Sequence, residues 1–120
     1  MKLDHLAIIM DGNRRWAHSN NLPSYEGHRK GAENLRNIIN NVENFNLKYL
    51  TFFVFSTENW KRSAKEITFL MKLLNQFLDH TISKVYQNNF KVRFIGDLLP
   101  FKKNIKDKIN IIHDATSRNT

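Results

Sequence analysis

Apolar positions along this chain follow two rhythms: short unbroken runs, and longer stretches in which they recur every three or four residues. Leu6 to Met10 is a short apolar run carrying β-branched residues, and Asp11-Gly12-Asn13 beyond it is strong turn chemistry. The run predicts a strand buried on both faces. After a polar connection around Ser19 to Pro23, Gly27 to Phe45 carries Leu35, Ile38, Ile39 and Val42 at helical spacing, which predicts an amphipathic helix. Lys48 to Phe55 is rich in aromatic and β-branched residues and predicts a second buried strand, bounded by Ser56-Thr57. Ser63-Ala64-Lys65-Glu66 has the spacing of a capping box and predicts the start of a long helix. Its apolar face holds Ile67, Leu70, Leu74, Phe77, Leu78, Ile82 and Val85. Phe90 to Ile95 reads as a third strand closed by Gly96-Asp97, and Pro100 fits the first turn of a last helix carrying Phe101, Ile105, Ile109 and Ile112. The order β-α-β-α-β-α predicts an α/β fold: a layered parallel sheet flanked by helices, with its active loops at one end.

Composition narrows what such a fold can do. A chain of 120 residues is expected to form one small domain across 1–120. It has no cysteine, which excludes a disulfide framework and a thiolate zinc site. No stretch approaches the ~20 apolar residues of a membrane span, and Met1 to Asp4 carries no cationic leader with an apolar core, so a cytoplasmic protein is expected. The formal charge of +8 favours anionic partners: nucleic acid, acidic lipid or phosphorylated small molecules. That charge is spread along the chain, with only short clusters such as Lys102-Lys103 and Lys106, and no RNA-binding aromatic signature accompanies it. Nucleic acid is therefore not the expected partner.

Two constellations carry candidate chemistry, and each follows an apolar strand. In the first, Asp11, Gly12, Asn13, Arg14, Arg15 and Trp16 join a carboxylate to fixed positive charge where backbone N–H groups can face an anion. A carboxylate among phosphate binders makes electrostatic sense when a hard divalent cation lies between them, which makes Asp11 a candidate metal ligand. The bland alternative is a surface turn with solvated arginines. In the second, Ser56 and Asn59 offer neutral hydrogen bonds, Glu58 a carboxylate, Trp60 an apolar plate and Arg62 a bidentate diphosphate contact. A Ser/Asn-rich loop with a packed Trp reads equally from those residues. His28, near a helix start, suits either a phosphate contact or the surface. The long helix is apolar beyond one stripe, since Phe69, Met71 and Leu73 flank its main face. Core packing explains that width, and so does a wall for a greasy substrate shared with Phe52, Val54 and Phe55.

His5 to Ala17, Gly27-His28-Arg29-Lys30-Gly31-Ala32, Phe55 to Arg62 and Ile95-Gly96-Asp97 resemble the cis-prenyltransferases, the family of the bacterial undecaprenyl diphosphate synthases. The resemblance runs collinearly through all 120 residues. It implies condensation of isopentenyl diphosphate onto an allylic diphosphate such as farnesyl diphosphate, giving a cis-polyprenyl diphosphate that serves as lipid carrier for cell-wall polymers. It also implies Mg2+ as cofactor, a homodimer for the complete enzyme, and a membrane-destined product with peripheral contact at the inner membrane face. Carried over residue by residue, Asp11 matches the catalytic aspartate and Mg2+ ligand. Gly12, Asn13, Arg14 and Arg15 match the loop that holds the allylic diphosphate, with Trp16 and His28 as further substrate contacts. Ser56, Thr57 and Glu58 match a second substrate loop, with Trp60 and Arg62 beside it. Asn59 matches the residue assigned to proton removal, although an amide is a poor base and better suited to orienting a proton path. The growing hydrocarbon needs a dry channel, since each buried CH2 contributes about 0.8 kcal/mol, and this favours the wall reading for Val54, Leu70 and Leu74.

The chain departs from the family pattern at Ser24, where an arginine usually binds diphosphate. The resemblance covers the family's N-terminal half. A later Arg/Ser motif for isopentenyl diphosphate, a distal metal-binding Glu and much of the dimer surface belong to the other half. The expectation is that these 120 residues alone bind allylic diphosphate weakly and do not elongate it. Two other functions compete: a non-catalytic partner subunit or relic of such an enzyme, against which the intact Asp11-Gly12-Asn13 speaks, and a basic nucleic-acid-binding domain.

Overall fold

The computed structural model describes residues 2–84 and 89–120, the side chains of Glu43 and Thr57 excepted. The chain divides into two compact units, Met1–Leu70 and Met71–Thr120.

In the first unit, strands β1 (His5–Ile9) and β2 (Tyr49–Phe53) pair in parallel, His5 beside Tyr49 through to Ile9 beside Phe53. Side chains alternate across a strand, so Leu6, Ile8, Leu50 and Phe52 share the half-buried face. The other face is open, with Ile9 74% and Tyr49 64% exposed. β1 was expected to be buried on both faces and β2 to be a second buried strand, and each is covered on one face. An apolar run reports composition, whereas burial depends on what lies over each face. On the open face, His5 Nε2 and Thr51 Oγ1 hydrogen-bond at 2.8 Å.

The residues after β1, read from sequence as a loop, form helix α1 (Asn13–Ser19). Gly12 makes the sharp entry possible, because its φ of 84° is a conformation that side chains disfavour. Its carbonyl accepts the Trp16 N–H at 2.9 Å. Helix α2 (Ser24–Asn41) starts directly after Pro23, three residues before the expected Gly27, and ends in a 3-10 turn at Val42–Phe45.

α1 crosses α2 at two glycines one turn apart. A Cβ on Gly27 would lie 2.0 Å from the Asn13 carbonyl oxygen, and one on Gly31 would lie 2.6 Å from the Asn13 amide nitrogen. Fully buried Ala17 lies along the same crossing.

Helix α3 (Ala64–Lys84) begins in the first unit and continues into the second. Within the second unit Leu78 forms a core with Ile105, Ile109 and Ile112 of helix α4 (Lys103–Thr116), joined by Leu74, Ile82, Val92, Phe94, Leu98 and Phe101. The apolar spacings of both helices were read correctly, and Leu74, Leu78 and Ile82 of the main face of α3 pack into this core. Val85 lies outside the described residues. Lys108 pins the two helices, its Nζ 2.6 Å from Asn75 Oδ1 and 2.7 Å from Asp79 Oδ1.

Phe90 to Ile95, expected as a third strand, has no strand assignment. Val92 and Phe94 point inward with strand-like alternation, but their N–H groups go to α4. The Val92 N–H donates to Thr116 Oγ1 at 3.1 Å and the Phe94 N–H to His113 Nε2 at 2.8 Å. Side chains have taken the donors that a neighbouring strand would have used. Pro100 sits in a turn before α4 instead of in its first turn. The observed order, β-α-α-β-α-α, keeps the α/β class and replaces the expected alternation.

Candidate functional site

Because β1 and β2 are parallel and in register, the segments that follow Ile9 and Phe53 leave the same carboxyl edge of the sheet. Ligands of open α/β sheets bind at that edge. Asp11 stands two residues beyond β1 and Ser56 three beyond β2.

At the first exit, Asp11 Oδ1 accepts the Gly12 N–H at 2.7 Å, while Oδ2 lies 3.1 Å from Arg15 Nη2. The side chains of this pair are 80% and 78% exposed, so solvent or a ligand can replace either contact. Arg14 and Trp16, also on α1, are exposed. Asn13 is different: its carbonyl and side chain are seated against Gly27 and Gly31, where it docks α1 onto α2.

At the second exit the chain forms a 3-10 turn over Thr57–Lys61. Asn59 Oδ1 accepts the Ser56 N–H at 2.9 Å, and the Asn59 N–H donates to the Ser56 carbonyl at 3.0 Å. With its amide oxygen turned to Ser56, Asn59 can present its NH2 group to a ligand as a donor. Trp60 is half-buried edge-on to Phe55, with ring centroids 4.7 Å apart. Glu58 is exposed, and the Thr57 side chain lies outside the described part of the site.

α2 links the two exits. Asn13 holds it at Gly27, and the next residue, His28, is buried with Nε2 2.9 Å from Glu66 Oε1. The same oxygen receives Arg62 Nη1 at 3.2 Å. His28 and Arg62, from stretches more than thirty residues apart, thus meet on one carboxylate. His28 is neither the surface residue of its bland reading nor fully available to a ligand, since one ring nitrogen is committed.

Glu66 is the residue that sequence reading missed. Its backbone fits the expected capping box, the N–H donating to Ser63 Oγ at 3.2 Å, but its carboxylate turns away to His28 and Arg62. The Arg62/Glu66 spacing of four was a visible signal for the second contact. Nothing local announces the first, which spans 38 residues.

Fold and site together define an α/β protein whose parallel strand ends carry arginines, amides and a carboxylate. Residues 9–120 match the profile of the family described as putative undecaprenyl diphosphate synthase, and the chain belongs to this prenyltransferase family. It is 40% identical over 117 residues to an isoprenyl transferase of Rickettsia typhi, covering 98% of this chain and 52% of that one. With an isoprenyl transferase of Clostridium tetani it shares 43% identity over 116 residues, covering 97% and 46% respectively. Among solved structures, lavandulyl diphosphate synthase from Lavandula x intermedia, in complex with dimethylallyl diphosphate, superposes with a TM-score of 0.88 at 30% identity, covering 99% of this chain and 51% of that one. A probable undecaprenyl diphosphate synthase from Campylobacter jejuni gives 0.76 at 32%, covering 99% and 50%. The chain spans about half the length of the curated relatives it matches. Among the described residues no helix is long and apolar enough to cross a membrane.

Proposed function

We propose that this chain supplies the allylic-diphosphate side of a cis-prenyltransferase site. The enzyme condenses isopentenyl diphosphate with an allylic diphosphate such as farnesyl diphosphate, giving a cis-polyprenyl diphosphate, the lipid carrier of cell-wall synthesis. The observation that carries the reading is the shared sheet edge, from which both the Asp11 and the Ser56 segments depart. The structural relative bound to dimethylallyl diphosphate, itself an allylic diphosphate, supports the substrate class.

In the reaction the allylic carbon–oxygen bond breaks and its electron pair leaves with diphosphate. The double bond of isopentenyl diphosphate attacks the allylic cation, and a proton is then lost. Negative charge grows on the leaving diphosphate, so groups fixed around it lower the barrier. Arg14, Arg15 and Arg62 supply charge, and the exposed Arg15 can exchange Asp11 for a diphosphate oxygen. The Gly12 backbone, Ser56 and the amide of Asn59 supply neutral donors, and Trp16 and Trp60 flank the prenyl group. As a donor, Asn59 orients a diphosphate oxygen, and that oxygen is the better proton acceptor.

Among the described residues no group of three His, Cys, Asp or Glu side chains is gathered to hold a metal. A hard cation with one carboxylate and several substrate oxygens is nonetheless the usual Mg2+ arrangement, and the exposed Asp11 fits it. When bound, Mg2+ would neutralise the departing diphosphate. In this reading the protein works in the cytoplasm and at the inner membrane face, as a homodimer.

Titration calorimetry with farnesyl diphosphate, with and without Mg2+, tests the reading. Uptake is expected to need Mg2+ and to weaken at least tenfold in Asp11→Asn, about 1.4 kcal/mol. Thermal stability should barely change, because an exposed pair such as Asp11–Arg15 contributes only about 0–1 kcal/mol. Absence of uptake by the unaltered protein, or equal uptake by the variant, overturns the proposal.

A further inference from the structure

We infer that Glu66 is a positioning residue of the diphosphate site, a carboxylate clasp that sets His28 and Arg62 for the same ligand. The inference rests on the prenyltransferase reading above and adds to it a residue outside both substrate segments. Its first support is geometric: one oxygen, Oε1, holds His28 Nε2 at 2.9 Å and Arg62 Nη1 at 3.2 Å. The second is burial. The side chains of His28 and Glu66 are 8% and 17% exposed, so their contact is shielded from water in a way that the Asp11–Arg15 pair is not. The third is a local rule left unfulfilled. A glutamate at the third position of a helix ordinarily folds back onto the cap's own N–H. Here Ser63 Oγ accepts the Glu66 N–H, while the carboxylate reaches across to α2. Breaking a local preference in favour of a distant contact is what a functional constraint does.

The chemistry of the clasp follows from its donors and acceptors. An ionised carboxylate only accepts, so His28 must carry its proton on Nε2. Glu66 thereby selects one tautomer and fixes the plane of the imidazole. On Arg62 it engages Nη1, and a guanidinium carries further in-plane N–H donors with which it can take a second anion. Without the carboxylate, the ring is free to change tautomer and the arginine free to change rotamer. The ligand would then have to order both.

Three variants and two readouts test this. Glu66→Ala removes the clasp, Glu66→Gln keeps an acceptor oxygen, and Glu33→Gln alters an exposed glutamate that pairs only with Lys30 among the ion pairs of α2. The first readout is the 15N–1H spectrum of the His28 ring without ligand, and the second is the dissociation constant for farnesyl diphosphate with Mg2+. Glu66→Ala is expected to lose the single Nε2–H tautomer pattern and to weaken binding roughly tenfold to hundredfold, the range of a charge-assisted hydrogen bond. Glu66→Gln should recover part of both, and Glu33→Gln should match the unaltered protein. Circular dichroism checks that each variant is folded, and Glu66→Gln carries the test if Glu66→Ala is not. A folded Glu66→Ala that binds as tightly as the unaltered protein, or Glu66→Gln showing no recovery over it, overturns the clasp. If the unaltered protein takes up no farnesyl diphosphate, the functional reading falls and the clasp's role falls with it. That result is distinguishable because the failure precedes any substitution.

Discussion

Several candidate side chains in the site already have an intramolecular partner, and the nature of the partner separates what a ligand can displace from what it cannot. Asp11 and Arg15 face solvent and hold each other loosely, whereas His28 is committed to Glu66. Ser24, where the family usually has an arginine, lies one helical turn before His28 on the same face of α2. Its hydroxyl has only a long contact, 3.4 Å to His18 Nε2. The neighbouring cations are already engaged, Arg29 with Glu26 at 3.1 Å and Lys30 with Glu33 at 3.4 Å, and a ligand would have to displace those exposed contacts before either could stand in for the missing charge. Ser24→Arg is therefore expected to tighten farnesyl diphosphate binding by about tenfold, the lower end for a charge-assisted contact. Calorimetry on the variant checks this, and an unchanged dissociation constant removes Ser24 as a weak point. At this scale the sequence was informative wherever chemistry was local. Asp11, Gly12 and Arg15 contact one another within five residues, whereas the partnership of His28 with Glu66 spans 38 and had no local signature.

At the scale of elements, the crossing of α1 and α2 sets where the first segment of the site lies. Gly27 and Gly31 form a notch four residues apart that admits Asn13, and the two positions differ in what a methyl group would meet. At Gly27 it would strike a backbone carbonyl at 2.0 Å, so the helices must separate. At Gly31 it would meet the end of a side chain at 2.6 Å, which can rotate away. Alanine gains about 1 kcal/mol over glycine in a helix interior, which offsets much of the second clash and little of the first. Gly27→Ala is expected to destabilise by about 3 kcal/mol, at the upper end for overpacking, and Gly31→Ala by less than about 1 kcal/mol. Urea midpoints compare them, and a Gly27→Ala protein at least as stable as Gly31→Ala would refute the notch. Periodicity located α2, α3 and α4, because their apolar spacing comes from packing along one face. α1 escaped notice because its seven residues present only one buried side chain, Ala17. The third strand was a false positive for the opposite reason: alternation predicts an extended chain, and it does not say whether a strand or the Thr116 and His113 side chains will take the N–H groups.

For the molecule as a whole, net charge and exposed apolar surface act against each other. Ile9, Tyr49, Phe53 and Val54 are each at least half exposed on or beside the two strands, and among the described residues each strand has one paired edge. An open edge beside apolar side chains is a template for association with another chain. The charge of +8 opposes that association by mutual repulsion. Added salt screens the repulsion, with a Debye length near 10 Å at 0.1 M, and leaves apolar contact intact. Sedimentation velocity is therefore expected to show association that grows with protein concentration and with sodium chloride between 0.05 and 0.5 M, on the order of the range over which screening changes most. The double variant Ile9→Thr, Phe53→Thr keeps strand propensity while removing two apolar side chains from the open face, and it should stay smaller at every salt concentration. Association that falls as salt rises would instead mean that oppositely charged patches hold the copies together. The open sheet face would then have no part in it.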